Sequence, residues 1–358
     1  MSIIKIAKEA GTSPATVSRV LNNPDYRCKD TELRDKIWKL AIKHNYLPNE
    51  AARSLKMGKA GKTEKNYYIN VLMTRMDREQ TDPFFAELLR VIESEIHRNN
   101  CILSGIWYRS LFSNDRKCRT ENLDQIIDTM IQETDGKCDG LVVIGKCNQE
   151  ALKKLNKRYK GVVSVNRNST NYEVDEVLCD GSKIAQIAVD YLFSLGHQRI
   201  GYVGECQNET RYQGYLESFR KHNLTVEPDY VIETKQTEIA GFEVMQKLLQ
   251  EKNRPTAIYC ANDITAIGML KCLNQFHNRY YRPSIISSDD IEEAENSKPM
   301  LTTVRLPKNE MGKFAMQLLV DRLKNGHSSV VRMELEGKLR IRSSCSAADD
   351  LNWSDYCI

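Results

Sequence analysis

Ala15, Arg19 and Asn22 fall on one face of a helix at a 3.6-residue period, and that face could read the edges of DNA base pairs. A small residue such as Ala15 can approach a thymine methyl, and the guanidinium of Arg19 can fork onto guanine. The helix that must carry them is written into Gly11-Thr12-Ser13-Pro14-Ala15-Thr16-Val17-Ser18-Arg19-Val20-Leu21-Asn22. Ser13 is a good N-cap and Pro14 suits the first turn, where a missing N–H costs nothing, so the helix is expected to start there and run to about Leu21. Val17, Val20 and Leu21 share the opposite, apolar face. One amphipathic helix with an exposed arginine is ordinarily only a surface helix, so the flanks decide. Upstream, Ile3, Ile6, Ala7 and Ala10 form an i, i+3, i+4, i+7 stripe that ends at Gly11, the spacing of a helix-turn-helix. Downstream, Asn23-Pro24-Asp25 signals a turn, Asp30 caps a third helix, and Leu33, Ile37, Leu40, Ala41 and His44, with Trp38 beside them, supply a lid.

Charge points the same way. Residues 1–59 hold 12 Lys+Arg against 6 Asp+Glu, net +6, while the other 299 residues hold 40 against 42. The overall +4 is therefore a basic segment on a nearly neutral body, as binding to phosphates requires.

Beyond residue 47 the texture changes twice. Pro48 biases Leu47 away from helix and Asn49 offers a new cap for a short helix through Lys56. Roughly seven helical residues are below the ~12 to 15 that persist alone in water, so this segment is expected to order only against a partner. Met57 to Lys62 has linker composition. From Tyr67 onward, apolar runs alternate with helical patterns: Tyr68–Leu72, a helix over 83–98, Leu141–Ile144, Val162–Val165, a helix around 182–195, Arg199–Val203, Ala257–Cys260 and Ser284–Ser287. Such alternation argues for parallel sheets covered on both faces, with a ligand crevice at the carboxyl ends of the strands.

Composition excludes several classes. At 358 residues with 41% hydrophobic and 28% charged residues, the chain has room for two or three domains. No apolar run approaches the ~18 residues of a membrane span, and nothing at the N-terminus reads as a signal peptide, so a cytoplasmic protein without membrane partners is expected. The eleven cysteines are scattered, odd in number and free of CxxC or Cys/His spacing, so reduced thiols with no metal and no cofactor are expected. Asp289-Asp290 with Glu292-Glu293 could be drawn as a metal cluster, but no His or Cys lies near and there is no nucleophile motif, P-loop or GxGxxG, which argues against an enzyme. A solute-binding protein for uptake would share the core but not the basic N-terminal segment.

The chain resembles the LacI/GalR family of bacterial transcriptional regulators over nearly its whole length. The resemblance rests on Pro14 to Asn22, Tyr46-Leu47-Pro48-Asn49 with Ala52-Arg53-Ser54-Leu55, Leu195-Gly196-His197-Gln198-Arg199-Ile200, Ala261-Asn262-Asp263 with Ala266-Ile267-Gly268, and Leu301 to Arg305 before Met311-Gly312. It implies a small all-α helix-turn-helix headpiece (1–47), a hinge helix and linker (48–66), and an α/β core of two parallel-sheet subdomains of the type I periplasmic-binding-protein kind (67–345), then a tail (346–358). The first subdomain is expected at about 67–177 and 302–330 and the second at about 178–301 and 331–345, joined by three crossovers. The tail lacks long leucine heptads, so a homodimer is expected on pseudo-palindromic double-stranded operator DNA.

Carried onto this sequence, the family's DNA contacts fall on Ser13, Pro14, Ala15, Thr16, Ser18, Arg19, Asn22, Asn49, Ala52, Arg53 and Leu55, with Leu55 as an apolar wedge at the operator centre. The loop from Asn22 to Asp30 is about two residues longer than usual. The effector positions fall on Thr74, Asp82, Phe84, Asn166, Arg211, Gln236, Asn262 and Asp289, with Lys308 near a crossover. An aromatic face, a fork of donors and several acceptors suit a polyol, so a small sugar such as a galactoside is the expected effector of a repressor of carbohydrate-utilisation genes. Within the family, purine or nucleoside effectors and phosphoprotein co-repression remain open alternatives for this sequence.

Overall fold

The computed structural model describes residues 3–22, 30–43, 66–75, 82–276 and 281–349. The chain divides into two compact units, Met1–Lys65 and Asn66–Ile358. The expectations for the 22–30 loop, His44, the hinge and linker segment and the end of the tail lie outside the described residues, as does the side chain of Trp38.

Among the described residues the first unit holds three helices: α1 Ile3–Ala10, α2 Pro14–Asn22 and α3 Thr31–Lys43. Gly11 makes the tight turn with φ 73, and the Thr12 N–H returns to the Ala7 carbonyl at 3.0 Å. The cap expected at Ser13 forms, its Oγ accepting from the Thr16 N–H at 3.1 Å, and Asp30 caps α3 by accepting from the Leu33 N–H at 2.9 Å. Ile6, Ala7, Ala10, Val17, Val20, Leu21, Ile37 and Ala41 are buried together, with Leu33 and Leu40 packed against them.

The second unit is built on two six-stranded sheets. The strands are β1 Tyr68–Met73, β2 Ile102–Tyr108, β3 Gly140–Ile144, β4 Gly161–Asn166, β5 Asp175–Leu178, β6 Ile200–Gly204, β7 Val231–Glu233, β8 Ala257–Cys260, β9 Ser284–Asp289, β10 Thr302–Arg305, β11 Arg332–Glu334 and β12 Lys338–Arg340. The first sheet runs β11-β5-β4-β3-β1-β2, all parallel. The second runs β12-β10-β9-β8-β6-β7, parallel except for the β10–β12 pair. Central strands such as β3 and β8 are buried at every residue, which is why they read as unbroken apolar runs.

The helices of this unit are α4 Pro83–Arg98, α5 Asp115–Thr120, α6 Leu123–Gln132, α7 Gln149–Arg158, α8 Gly181–Ser194, α9 Thr210–Lys221, α10 Glu238–Leu248, α11 Asp263–Phe276, α12 Glu292–Asn296 and α13 Lys308–Leu323. Helix α13 packs on α4 and on β3, β4 and β5, whereas α8 packs on β8, β9 and β10. The chain therefore crosses between the subdomains three times, at 178–181, 305–308 and 334–338.

Two of the expected subdomain boundaries need correction. Residues 302–305 pair with β9 in the second sheet, where buried Thr302 and Thr303 sit opposite Ile286 and Ser287, and 332–334 pair with β5 in the first. Both segments are short, and which sheet they join is set by long-range register rather than by any local pattern. Among the described residues no group of three or more His, Cys, Asp or Glu could hold a metal ion, and no helix is long and apolar enough to cross a membrane. The nine described cysteines are free thiols.

Candidate DNA-reading helix and effector cleft

Helix α2 presents Pro14, Ala15 and Arg19 to solvent, while Val17, Val20 and Leu21 anchor its other face. Thr16 is half-buried, and the Ser13 hydroxyl is within 3.0 Å of Thr16 Oγ1 as part of the cap. Ser18 does not belong to the open face: it is only 8% exposed, because its position one residue after Val17 turns it toward the packed side. The side chain of Asn22, and Asn49, Ala52, Arg53 and Leu55, lie outside the described residues. Helix α2 is thus a short, firmly seated helix with a small residue and a cation exposed on its outer face, the arrangement a major groove admits.

In the second unit the site builds itself at the carboxyl ends of the strands. Thr74 follows β1, Asn166 ends β4, Gln236 follows β7, Asn262 follows β8 and Asp289 ends β9. Asp82 caps α4 by accepting from the Phe84 N–H at 3.0 Å, and Arg211 lies in the first turn of α9. Parallel strands point their ends one way, so loops from both sheets converge on one cleft.

At its floor is Arg167, which the sequence reading missed. Its guanidinium lies 4.4 Å from the Phe84 ring centroid and 5.5 Å from that of Phe85, and its Nη1 is 3.1 Å from Asp289 Oδ1 on the other subdomain. Phe84, expected to offer an open face to a sugar, is 1% exposed, because the guanidinium covers it. Nothing in the apolar-and-motif reading marks Arg167, which is one arginine after an apolar strand until β4 and β9 are brought together. The side chain of Asn166 is spent locally, accepting from the Arg167 N–H at 2.7 Å and donating to the Asn168 carbonyl at 3.0 Å.

Arg211, expected as a free fork of donors, is 2% exposed and committed. Its Nε donates to Glu209 Oε1 at 2.8 Å, its Nη2 to Glu209 Oε2 and to Gln236 Oε1, both at 3.1 Å, and its Nη1 to the Ala261 carbonyl. Glu209 was also missed; Arg211, with Arg75 and Arg167 beyond it, overcomes the penalty of burial and holds its carboxyl at about 2. Asn262 caps its own helix, with Oδ1 accepting from the Thr265 hydroxyl at 2.6 Å, and Thr74 donates its hydroxyl to the Ile144 carbonyl at 3.1 Å. Lys308 Nζ sits 2.5 Å from Glu87 and donates to the Asp290 carbonyl at 2.9 Å.

Asp289 is different in kind. Its backbone has φ 138, a strained value for a residue with a side chain, and burial pushes its carboxyl up to about 8 against the pull of Arg167. Burial also raises Asp82, which Arg167, Arg211 and Arg75 oppose. Among the described residues, three buried side-chain atoms here have no hydrogen-bond partner: Arg167 Nη1, Asp289 Oδ1 and Gln236 Nε2. Arg167 Nη1 and Asp289 Oδ1 pair by charge at 3.1 Å without hydrogen-bond alignment, which leaves the buried Gln236 Nε2 as the donor here with neither kind of partner among the described residues, a costly arrangement for a buried amide.

Residues 2–49 match the family described as bacterial regulatory proteins, lacI family, and residues 189–345 match a periplasmic binding protein-like domain. The HTH-type transcriptional repressor PurR of Aliivibrio salmonicida is 30% identical over 353 residues, spanning 96% of this chain and 99% of that one. The HTH-type transcriptional repressor MelR of Bacillus subtilis is 28% identical over 352 residues, spanning 95% and 96%. Among solved structures, the lac repressor dimer bound to operator and the anti-inducer ONPF matches with a TM-score of 0.65 at 19% identity, covering 97% of this chain and 99% of that one. The transcriptional regulator CelR–cellobiose complex matches with a TM-score of 0.65 at 20% identity, covering 96% and 100%. At such identities the structural likeness speaks for the fold alone, but the full-length match to curated repressors speaks for the family, whose members are regulators and not enzymes. With a helix-turn-helix unit in front of a two-sheet, cleft-bearing core, this chain belongs to the LacI family of DNA-binding transcriptional repressors.

Proposed function

We propose that this repressor controls carbohydrate-utilisation genes and that a small sugar, a galactoside or a related compound, bound between its two subdomains changes its operator affinity. The observation that carries this reading is the buried polar set at the strand ends, in which Arg167 and Asp289 pair by charge without hydrogen-bond alignment and Gln236 Nε2 has no hydrogen-bond partner among the described residues. A sugar hydroxyl both donates and accepts, so a vicinal diol can satisfy Arg167, Gln236 and Asp289 together. This reading assigns Asp82, Asn262 and Arg211 as further polar walls of the site, with Thr74, Phe84 and Asn166 as its support. Structural neighbours with bound cellobiose and bound ribose favour the same ligand class. On the DNA side the reading assigns base contacts to Pro14, Ala15 and Arg19 in a homodimer on a pseudo-palindromic site, with Leu55 of each hinge as the minor-groove wedge.

A thermal-shift panel of sugars, purines and nucleosides tests the effector class, since a ligand at a hundred times its Kd stabilises by about 2.7 kcal/mol. Stabilisation by a purine and by no sugar would replace the sugar reading. Operator sites selected from a random duplex library, titrated by fluorescence anisotropy, should show a steeply negative dependence of log affinity on log salt, because the +6 basic segment is present twice in a dimer. A flat salt response contradicts phosphate binding by that segment.

A further inference from the structure

The two subdomains are tied together beside the effector residues by side chains that are not among them. Arg75, which follows β1 in the first subdomain, donates through Nη1 to both Glu205 oxygens, at 3.0 and 2.9 Å, and its Nη2 is 3.6 Å from Glu209. Glu205 follows β6 in the second subdomain, and the two side chains are 18% and 37% exposed. Two more ties cross to the same short strap. Asn208 donates to Asp115 Oδ2 at 3.3 Å, while Asn148 holds the other oxygen of Asp115 at 2.6 Å, and the Thr210 N–H donates to Asn168 Oδ1 at 3.2 Å. None of the three covalent crossovers runs through residues 205–210, so this closure is entirely non-covalent.

The backbone opposite has made room for the arginine. A Cβ on Gly145, φ 98, would sit 2.9 Å from Arg75 Cγ and 2.8 Å from the Thr74 hydroxyl, so only glycine there lets the Arg75 stem lie across the end of β3 toward the other subdomain. The guanidinium is shared between two carboxylates, Nη1 bifurcated over both Glu205 oxygens and Nη2 near Glu209, so the tie is charge-assisted and anchored at two points of the facing segment.

We propose that Arg75 and Glu205 form a clasp that ties the two subdomains together across the mouth of the cleft, and that opening the cleft to admit an effector breaks it. Cleft opening is then a population set partly by this pair, and the clasp slows ligand entry and exit alike. The proposal rests on the cleft being the effector site only for its second half; the closure itself requires no ligand.

Hydrogen exchange on the full-length protein, with neither effector nor DNA, tests the clasp directly. Glu205→Ala should raise exchange across residues 205–210 and the facing segments 115–118 and 145–149 by about fivefold, leaving residues 3–22 unchanged. Sodium chloride at ~1 M should raise exchange in the same segments of the wild type, by screening the pair, and have little further effect on Glu205→Ala. Wild-type protection in Glu205→Ala, or an equal salt response in both proteins, overturns the clasp. Because no sugar or operator enters the measurement, failure here leaves the effector reading standing, and success does not depend on it.

Discussion

At the scale of single residues, exposure separates the groups that touch a partner from those that hold the protein. Arg19 is exposed on a seated helix, so Arg19→Ala should leave the fold intact and cost about 1 to 3 kcal/mol at the base pair it reads. Anisotropy with operator variants checks this: loss confined to one position supports base reading, and equal weakening of all duplexes makes Arg19 a phosphate contact. Arg211 behaves oppositely. Its loss strands the buried Glu209 carboxylate, so Arg211→Ala should destabilise the core by about 3 to 5 kcal/mol in thermal or urea denaturation. Arg211→Ala is therefore not a clean test of effector binding. Asp289→Asn is better, since it keeps the shape and removes only the titration. With a folded value of about 8 against about 3.9 when unfolded, this carboxyl binds more protons in the folded state between those limits. Its contribution to stability is full below pH 4 and is lost as pH rises toward 8, and Asp289→Asn should flatten that decline in denaturation midpoints measured across pH.

At the scale of elements, close helix contacts set the tolerance to change. Helices α10 and α11 meet through two glycines: a Cβ on Gly241 would lie 2.0 Å from the Thr265 carbonyl oxygen, and one on Gly268 2.0 Å from that of Glu238. Backbone cannot yield there without parting the helices, so Gly268→Ala should cost about 1 to 3 kcal/mol or more. Gly11 offers the contrast. A Cβ there meets nothing within 4 Å, so Gly11→Ala carries only the left-handed penalty of about 1 to 2 kcal/mol, and its effect should be confined to the first unit. Denaturation of both variants, followed by exchange in each unit, distinguishes the two costs.

At the scale of the molecule, control of DNA by a small ligand requires the cleft to have states of different operator affinity, with couplings that are typically 1 to 3 kcal/mol. Asp289 stands on the second subdomain facing Arg167 on the first, so Asp289→Asn should bind operator with wild-type affinity while losing most of its response to the stabilising sugar. A variant that still responds at the wild-type sugar concentration removes Asp289 from the pocket.

The sequence by itself determined the three N-terminal helices, because cap, turn and apolar stripe are local and each of Ser13, Gly11 and Val17 does its work within a few residues. It also determined the central strands such as β3, β4 and β8, whose burial on both faces leaves continuous apolar runs. Only the tertiary structure decided the rest. Strand β5 carries Asp175 and Glu176 and looks like loop, yet it is buried because Arg322 and His327, about 150 residues away, neutralise Asp175. Strands β10 and β11 changed subdomain because register, not composition, assigns them. In the cleft, the family resemblance pointed to Asp289, Arg211 and Gln236, while nothing in the sequence pointed to Arg167, Glu209, Arg75 and Glu205. An ion pair across two subdomains leaves no periodic trace, since its partners come together only when two sheets have folded and closed on each other.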